Sequence, residues 1–218
     1  MDNNISSTKY QHKFAGMINI SRTLLLLLLF LGFFNSISRG QKSPIPINFS
    51  IYNESTAIPF TRFFTRPIHP GLQVGSEINY SKNDKKRWFQ TANLNYFYHR
   101  HLAHGVGLNS ELGYEYRSRL GICFSGLLGV GYLRTYTTAE EYTLIDGQYQ
   151  KKSDKGNSRF YPSLSLDLGY CLKPAKSDSP KLFLRYQSWL EYPFSPGFIP
   201  VMTHINLHLG FKVFINRQ

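Results

Sequence analysis

The amino-acid sequence predicts an all-β chain: an up-and-down antiparallel barrel of about eight strands behind an N-terminal export segment. Three observations carry that expectation. From Gln41 onward apolar residues recur with a period of two, not 3.6. The alternating segments run to about ten to sixteen residues, whereas globular strands centre on about five or six. Before them lies a short apolar run between a basic start and a small-residue exit.

The export segment comes first in the chain. Lys9, Lys13 and Arg22 precede TLLLLLLFLGFF, Thr23 to Phe34. At about a dozen residues that run is too short to span a bilayer comfortably as a helix. Ser38-Arg39-Gly40 places small residues at the −3 and −1 positions, so cleavage is expected before Gln41. Residues 1–40 are then a signal peptide and 41–218 a barrel domain. No Cys directly follows the apolar core, which disfavours a lipid-linked N-terminus.

The strands follow in order. Ile45, Ile47, Phe49 and Ile51 alternate in a short first segment. Asn53–Pro70 holds TRFFTRPIHPG and reads as a loop or an irregular plug over the barrel mouth. Leu72, Val74, Ile78 and Tyr80 then alternate with Gln73, Gly75, Glu77 and Asn79. Trp88, Ala92, Leu94, Tyr96 and Tyr98 share a face opposite Thr91, Asn93 and Asn95. Val106, Leu108, Leu112, Tyr114 and Tyr116 oppose Gly107, Asn109, Glu111, Gly113 and Glu115. Ile122, Phe124, Leu128, Val130 and Tyr132 oppose Cys123, Ser125, Gly129 and Gly131. A polar excursion from Thr135 to Ser158 centres on Asp146-Gly147, a strong hairpin-turn dipeptide. Leu164, Leu166, Leu168 and Tyr170 then oppose Ser163, Ser165, Asp167 and Cys171. Leu182, Leu184, Tyr186, Leu190 and Tyr192 oppose Arg185, Gln187 and Glu191. Ile205, Leu207, Leu209, Phe211, Val213 and Ile215 oppose His204, His208, Gly210 and Lys212.

One face of every strand is aliphatic and flanked by Tyr, Trp or Phe; the other is small, polar or charged. The long segments, the Tyr at their ends and the Gly- and Ser-rich second face favour a transmembrane barrel with a crowded polar lumen. A soluble periplasmic barrel that binds an apolar ligand would put the aliphatic face inside instead.

The charge of +12 is spread along the chain, with small clusters at Lys82–Arg87 and Lys151–Lys155 that also hold Asp. No nucleic-acid motif accompanies it, so a solvated loop surface and attraction to anionic lipid are expected rather than nucleic-acid binding. The lumen face carries Glu77, Glu111, Glu115, Asp167, Arg185, Glu191, His204, His208 and Lys212. Buried charges are tolerable only when paired, so these residues predict an interior ion-pair network. Cys123 and Cys171 fall on consecutive strands and on the lumen face. A hairpin centred on Gly147 sets them opposite each other; a strict Asp146-Gly147 turn shifts that register by one and requires a bulge or odd-length loop. A disulfide or a close unbonded pair both fit an oxidising compartment. His99, His101 and His104 cluster near one loop and His69 lies in another, but no Cys or carboxylate stands at ligand spacing, so neither metal nor cofactor is assigned. No G-x-S-x-G elbow is present and no catalytic residue is assigned. An outer-membrane lipid-modifying hydrolase would need a Ser–His–acid cluster on the outward face.

In this pattern, and in the terminal layout of His208, Gly210, Val213 and Ile215, the chain resembles the small porin-like outer-membrane β-barrel proteins of Gram-negative bacteria. It departs from their pattern by ending in Asn216-Arg217-Gln218 rather than an aromatic residue. The resemblance implies a bacterial outer-membrane location, surrounding lipid and the barrel-assembly machinery as partners, and both termini on the periplasmic side. It implies a non-enzymatic role in envelope structure, surface binding or limited small-solute passage.

Overall fold

The computed structural model describes residues 44–216 apart from 82, 84, 101, 139, 141, 146, 152, 153, 175, 177, 196 and 197. The expected signal peptide and its cleavage point lie outside the described residues. Every regular element among the described residues is a strand: β1 Ile45–Thr56, β2 Pro70–Asn79, β3 Lys86–Tyr98, β4 Ala103–Arg117, β5 Ile122–Thr137, β6 Tyr142–Ile145, β7 Gln148–Lys151, β8 Asn157–Cys171, β9 Lys181–Glu191 and β10 Met202–Ile215. Eight of them close into an antiparallel barrel in the order β1-β10-β9-β8-β5-β4-β3-β2, while β6 and β7 form a separate hairpin. The first and last strands pair along their length, from Ile45 with Ile215 to Thr56 with His204, so no edge is left open.

The barrel is inside out relative to a water-soluble one. Leu128 is 67% exposed on the outer wall and Leu166 48%, whereas Glu111, Glu115 and His208 are buried within. The soluble reading, with its aliphatic face inside, is thereby corrected: Leu166 and Leu184 point away from the axis. A hydrocarbon surface of this extent is stable against acyl chains and not against water. The chain has the architecture of an outer-membrane-type transmembrane β-barrel.

The excursion after β5 resolves the register problem posed by the cysteines. Ile145 pairs with Gln148, the register of a two-residue turn at 146–147. Asp146 itself is outside the described residues, and Gly147 takes φ +76°, as such a turn demands. The barrel strands, however, pair Thr135 with Asn157. The outgoing arm (136–141) holds six residues and the returning arm (152–156) five, so the odd residue falls in the outgoing arm. As a result Cys123 lies opposite Gly169, not Cys171. The expected direct opposition becomes a diagonal one, and both thiols remain unbonded with sulfurs 2.9 Å apart.

The segment after β1 departs most from expectation. β1 runs to Thr56, well beyond Ile51, and the chain after it is no plug over the mouth. Residues 57–69 fold down as a strap across the outer wall of β1, β10 and β9. Asn53 Nδ2 donates to the Thr65 carbonyl at 3.0 Å, and the Ser55 hydroxyl meets the Thr65 hydroxyl. The Phe60 amide donates to the Tyr186 hydroxyl at 2.9 Å, and the Phe60 and Phe63 rings each lie 5.3 Å from that of Tyr186. Tyr186 and Ile205, outward-facing by strand parity, are left only 8% and 1% exposed. The physical reason is polar satisfaction: Asn53, Ser55 and the Tyr186 hydroxyl stand on a wall where lipid offers no partner, and the strap supplies one.

Candidate functional site

The lumen is the place where the chain concentrates chemistry, and it is built in layers. Nearest the termini, Glu77 on β2 accepts from Arg87 on β3 at 3.0 Å and from Lys212 on β10 at 2.8 Å. Glu115 on β4 accepts from Arg87 at 2.7 Å and, across the lumen, from Lys181 on β9 at 2.6 Å. The Phe89 and Phe183 rings pack beside these cations, with Arg87 5.0 Å from the first and Lys181 5.8 Å from the second. Gly113 and Gly210 are required at this depth: a Cβ on either would lie within 2.5 Å of the Phe89 or Phe183 ring.

One layer further in, Glu111 is a hub. It accepts from Arg185 at 3.0 Å, Gln187 at 3.1 Å and Ser165 at 2.8 Å. Arg185 also grips Asp167 through two parallel bonds of 2.7 and 2.9 Å, the planar fork matching the carboxylate. Four carboxylates (Glu77, Glu111, Glu115, Asp167) therefore face four cations (Arg87, Lys181, Arg185, Lys212) in two successive layers. Such a balance is what permits burial of this much charge.

Above the ions sits an apolar plug of Tyr52, Phe97, Leu133, Tyr161 and Trp189. Its Tyr161 hydroxyl accepts from Asn95 at 2.6 Å, and the Trp189 indole donates to Asn206 at 3.2 Å. A cavity of about 20 Å³ remains beside them, space for about one water. Beneath it, His208 shares a 3.0 Å hydrogen bond with Ser50.

At the end of the barrel remote from the termini, Glu54 Oε1 meets His204 Nδ1 at 2.8 Å. His204 Nε2 lies 3.2 Å from Glu191, which in turn pairs with Arg159 at 3.0 Å. The Trp189 ring stacks flat on His204 with centroids 4.0 Å apart. Next to Glu54, His69 stacks on His99 with centroids 3.5 Å apart.

All nine residues expected in a lumen network are buried, and the structure joins eight of them by ion pairs; His208 bonds Ser50 instead. Sequence reasoning missed Glu54, Arg87, Arg159 and Lys181. Each stood in a stretch read as loop or turn or beyond a segment's assumed end. Continuing the two-residue parity outward from Trp88, Leu182 and Ile51 would have turned Arg87, Lys181 and Glu54 inward. Among the histidines, His104 stacks against Tyr136 rather than joining His99, and His101 lies outside the described residues.

Neither of the Ser–His or acid–His pairs described above faces lipid. Ser50–His208 and Glu54–His204–Glu191 are all buried on the lumen side. The outward Ser–His–acid cluster that a lipid hydrolase needs is not found among the described residues.

No family model and no curated protein matches the sequence. Solved structures with some likeness include Neisserial surface protein A, with TM-score 0.49 and 8% identity over 79% of this chain and 97% of that one. The outer membrane enzyme PagL gives 0.44 and 11% over 77% and 98%. Ail, the attachment invasion locus protein of Yersinia pestis, gives 0.40 and 14% over 78% and 97%.

Proposed function

We propose that this chain is a non-enzymatic bacterial outer-membrane barrel, closed to solutes, that anchors surface-facing loops in the envelope. The observation that supports this reading most directly is the cross-lumen bonding. Glu115 and Glu111 on β4 reach Lys181, Arg185 and Gln187 on β9, three strands away around the wall. These bonds tie opposite walls together and occupy the axis that a conduit would need. An eight-stranded barrel has room inside for side chains and little else. Surrounding lipid and the barrel-assembly machinery are its expected partners. With the termini in the periplasm, the strap, the β6–β7 hairpin and the β3–β4 and β9–β10 connections face the outside.

The direct test is conductance of the folded protein in planar bilayers, together with swelling of liposomes in small sugars. No steady current above the bare bilayer and no swelling are expected. A stable conductance step would overturn the closed-barrel reading. Impermeant thiol reagents applied to whole cells provide the topological check. A cysteine placed at Gln148 should label from outside and one placed at Ser118 should not; the reverse pattern would invert the proposed orientation.

A further inference from the structure

The geometry points to a divalent metal site of the zinc type at the outward end of the lumen, held by Glu54, His69 and His99. The three come from separate parts of the chain: β1, the end of the strap and the β3–β4 connection. Each offers a ligand atom, and the three atoms lie within 4.8 Å of one another. Tetrahedral zinc with ligand bonds of about 2.0–2.2 Å needs its ligand atoms somewhat closer than that, so only a small closure separates this arrangement from a coordinating one.

The second observation is an unmet need in the buried pair. His69 Nδ1 lies 3.2 Å from the Glu54 backbone carbonyl. A carbonyl can only accept, so the bond places the ring proton on Nδ1 and leaves the lone pair on Nε2. That Nε2 is buried without a hydrogen-bond partner, and so is Glu54 Oε2. Two buried acceptors in one three-residue cluster, neither with a donor, call for a cation. An imidazole that donates its other N–H to a backbone carbonyl is the arrangement of a metal-ligating histidine, with tautomer and ring orientation already set.

The surroundings support the same assignment. Glu54 Oε1 is held by His204, whose far nitrogen faces Glu191 beside Arg159, so the carboxylate is oriented from behind. His69 is further fixed by its own amide, which donates to Asn53 Oδ1 at 2.8 Å. Two imidazoles and one carboxylate suit a borderline cation and not calcium or magnesium, which prefer oxygen shells. Three protein ligands leave a fourth position for water or an external group. Because His69 closes the strap and His99 begins another loop, bound metal would cross-link two surface loops to the barrel rim.

The test uses the full mature chain, folded in detergent micelles, without a histidine tag and stripped with chelator. Titration with zinc chloride by calorimetry should show one ion per chain. His69→Gln and His99→Gln should each weaken binding by at least about tenfold, since losing even an outer-shell partner costs 10–100-fold. His104→Gln, outside the cluster, should bind like the parent. Heat-modifiable gel migration confirms that each variant is folded. X-ray absorption at the zinc edge of the parent protein supplies the measurement that needs no variant: nitrogen and oxygen ligands with imidazole scattering are expected. No binding by the folded parent, undiminished binding in both variants, or sulfur ligands from Cys123 and Cys171 would each overturn the assignment.

Discussion

Two stretches of the same outer wall solve the same solvent problem differently. Across β3, β4 and β5 the outward residues include Leu94, Leu108, Leu128 and Val130, all bare. Across β9, β10 and the upper half of β1 they include Tyr186, Ser188, Asn53 and Ser55, and all four are buried. The first wall meets hydrocarbon directly. The second carries polar groups that hydrocarbon cannot satisfy, and the strap of residues 57–69 bonds Tyr186, Asn53 and Ser55. The strap in turn exposes Ile58, Phe60, Phe63, Phe64 and Ile68, so the surface it presents is again apolar. Outward polar groups are thus satisfied without water, by the strap at Asn53, Ser55 and Tyr186 and by the 2.8 Å bond from Gln90 to Ser110 on the barer wall.

The largest effect should ignore this difference, because both walls enclose the same buried ion pairs. Arg185→Ala leaves Asp167 and Glu111 buried without their shared cation. A loss of about 3–5 kcal/mol is expected in urea unfolding of the lipid-reconstituted protein. Replacing exposed Arg119 by Ala should stay within about 0.5 kcal/mol.

The next comparison separates the walls. Ile205→Ala under the strap should remove transfer energy and leave a cavity, costing about 2–5 kcal/mol. Leu128→Ala on the bare wall leaves a gap that lipid fills, so only the transfer part is lost, near 1–2 kcal/mol. Equal losses in equilibrium unfolding would show that the strap does not pack against the wall. Tyr186→Phe removes only the hydroxyl that Phe60 uses, for about 1 kcal/mol. Its sharper readout is limited trypsin digestion, with faster cleavage after Arg62 and unchanged cleavage elsewhere.

The smallest effect lies beyond both walls, at the base of the β6–β7 hairpin. Asp154 accepts from the Gly156 and Thr137 amides at 2.7 and 2.6 Å. These bonds, that to Gly156 foremost, hold its carboxyl below the ordinary aspartate value. A group with a lowered folded pKa contributes stability above its unfolded value, about 3.9, and loses it as pH falls through the folded one. Amide exchange at Thr137 and Gly156 should therefore be pH-independent in protection above about pH 5 and lose protection below about pH 4. Asp154→Asn should abolish that acid step while the barrel amides stay protected.

Period-two patterning was enough to read all eight barrel strands, because each segment is long and its two faces meet such different surroundings. It also placed Glu111, Asp167, Arg185 and Lys212 in the lumen, since parity alone decides the face. It failed at strand ends. Glu54 and Arg87 border loops, where turn-forming and basic neighbours masked the continuing alternation. The strap was unreadable for another reason: TRFFTRPIHPG has no period, and which surface such a segment covers depends on strands more than a hundred residues away.

What the sequence determined by itself was local and repetitive: strands, their lengths, and the side of the wall each residue takes, all of which follow from pleating. What only the tertiary structure decided was pairing between residues distant in the chain. The Arg185 grip on Glu111, the diagonal approach of Cys123 and Cys171, and the meeting of Glu54, His69 and His99 all depend on strand stagger and loop descent. Those arise from closing the barrel, a constraint that acts on the whole sheet at once and leaves no trace in any short run of residues.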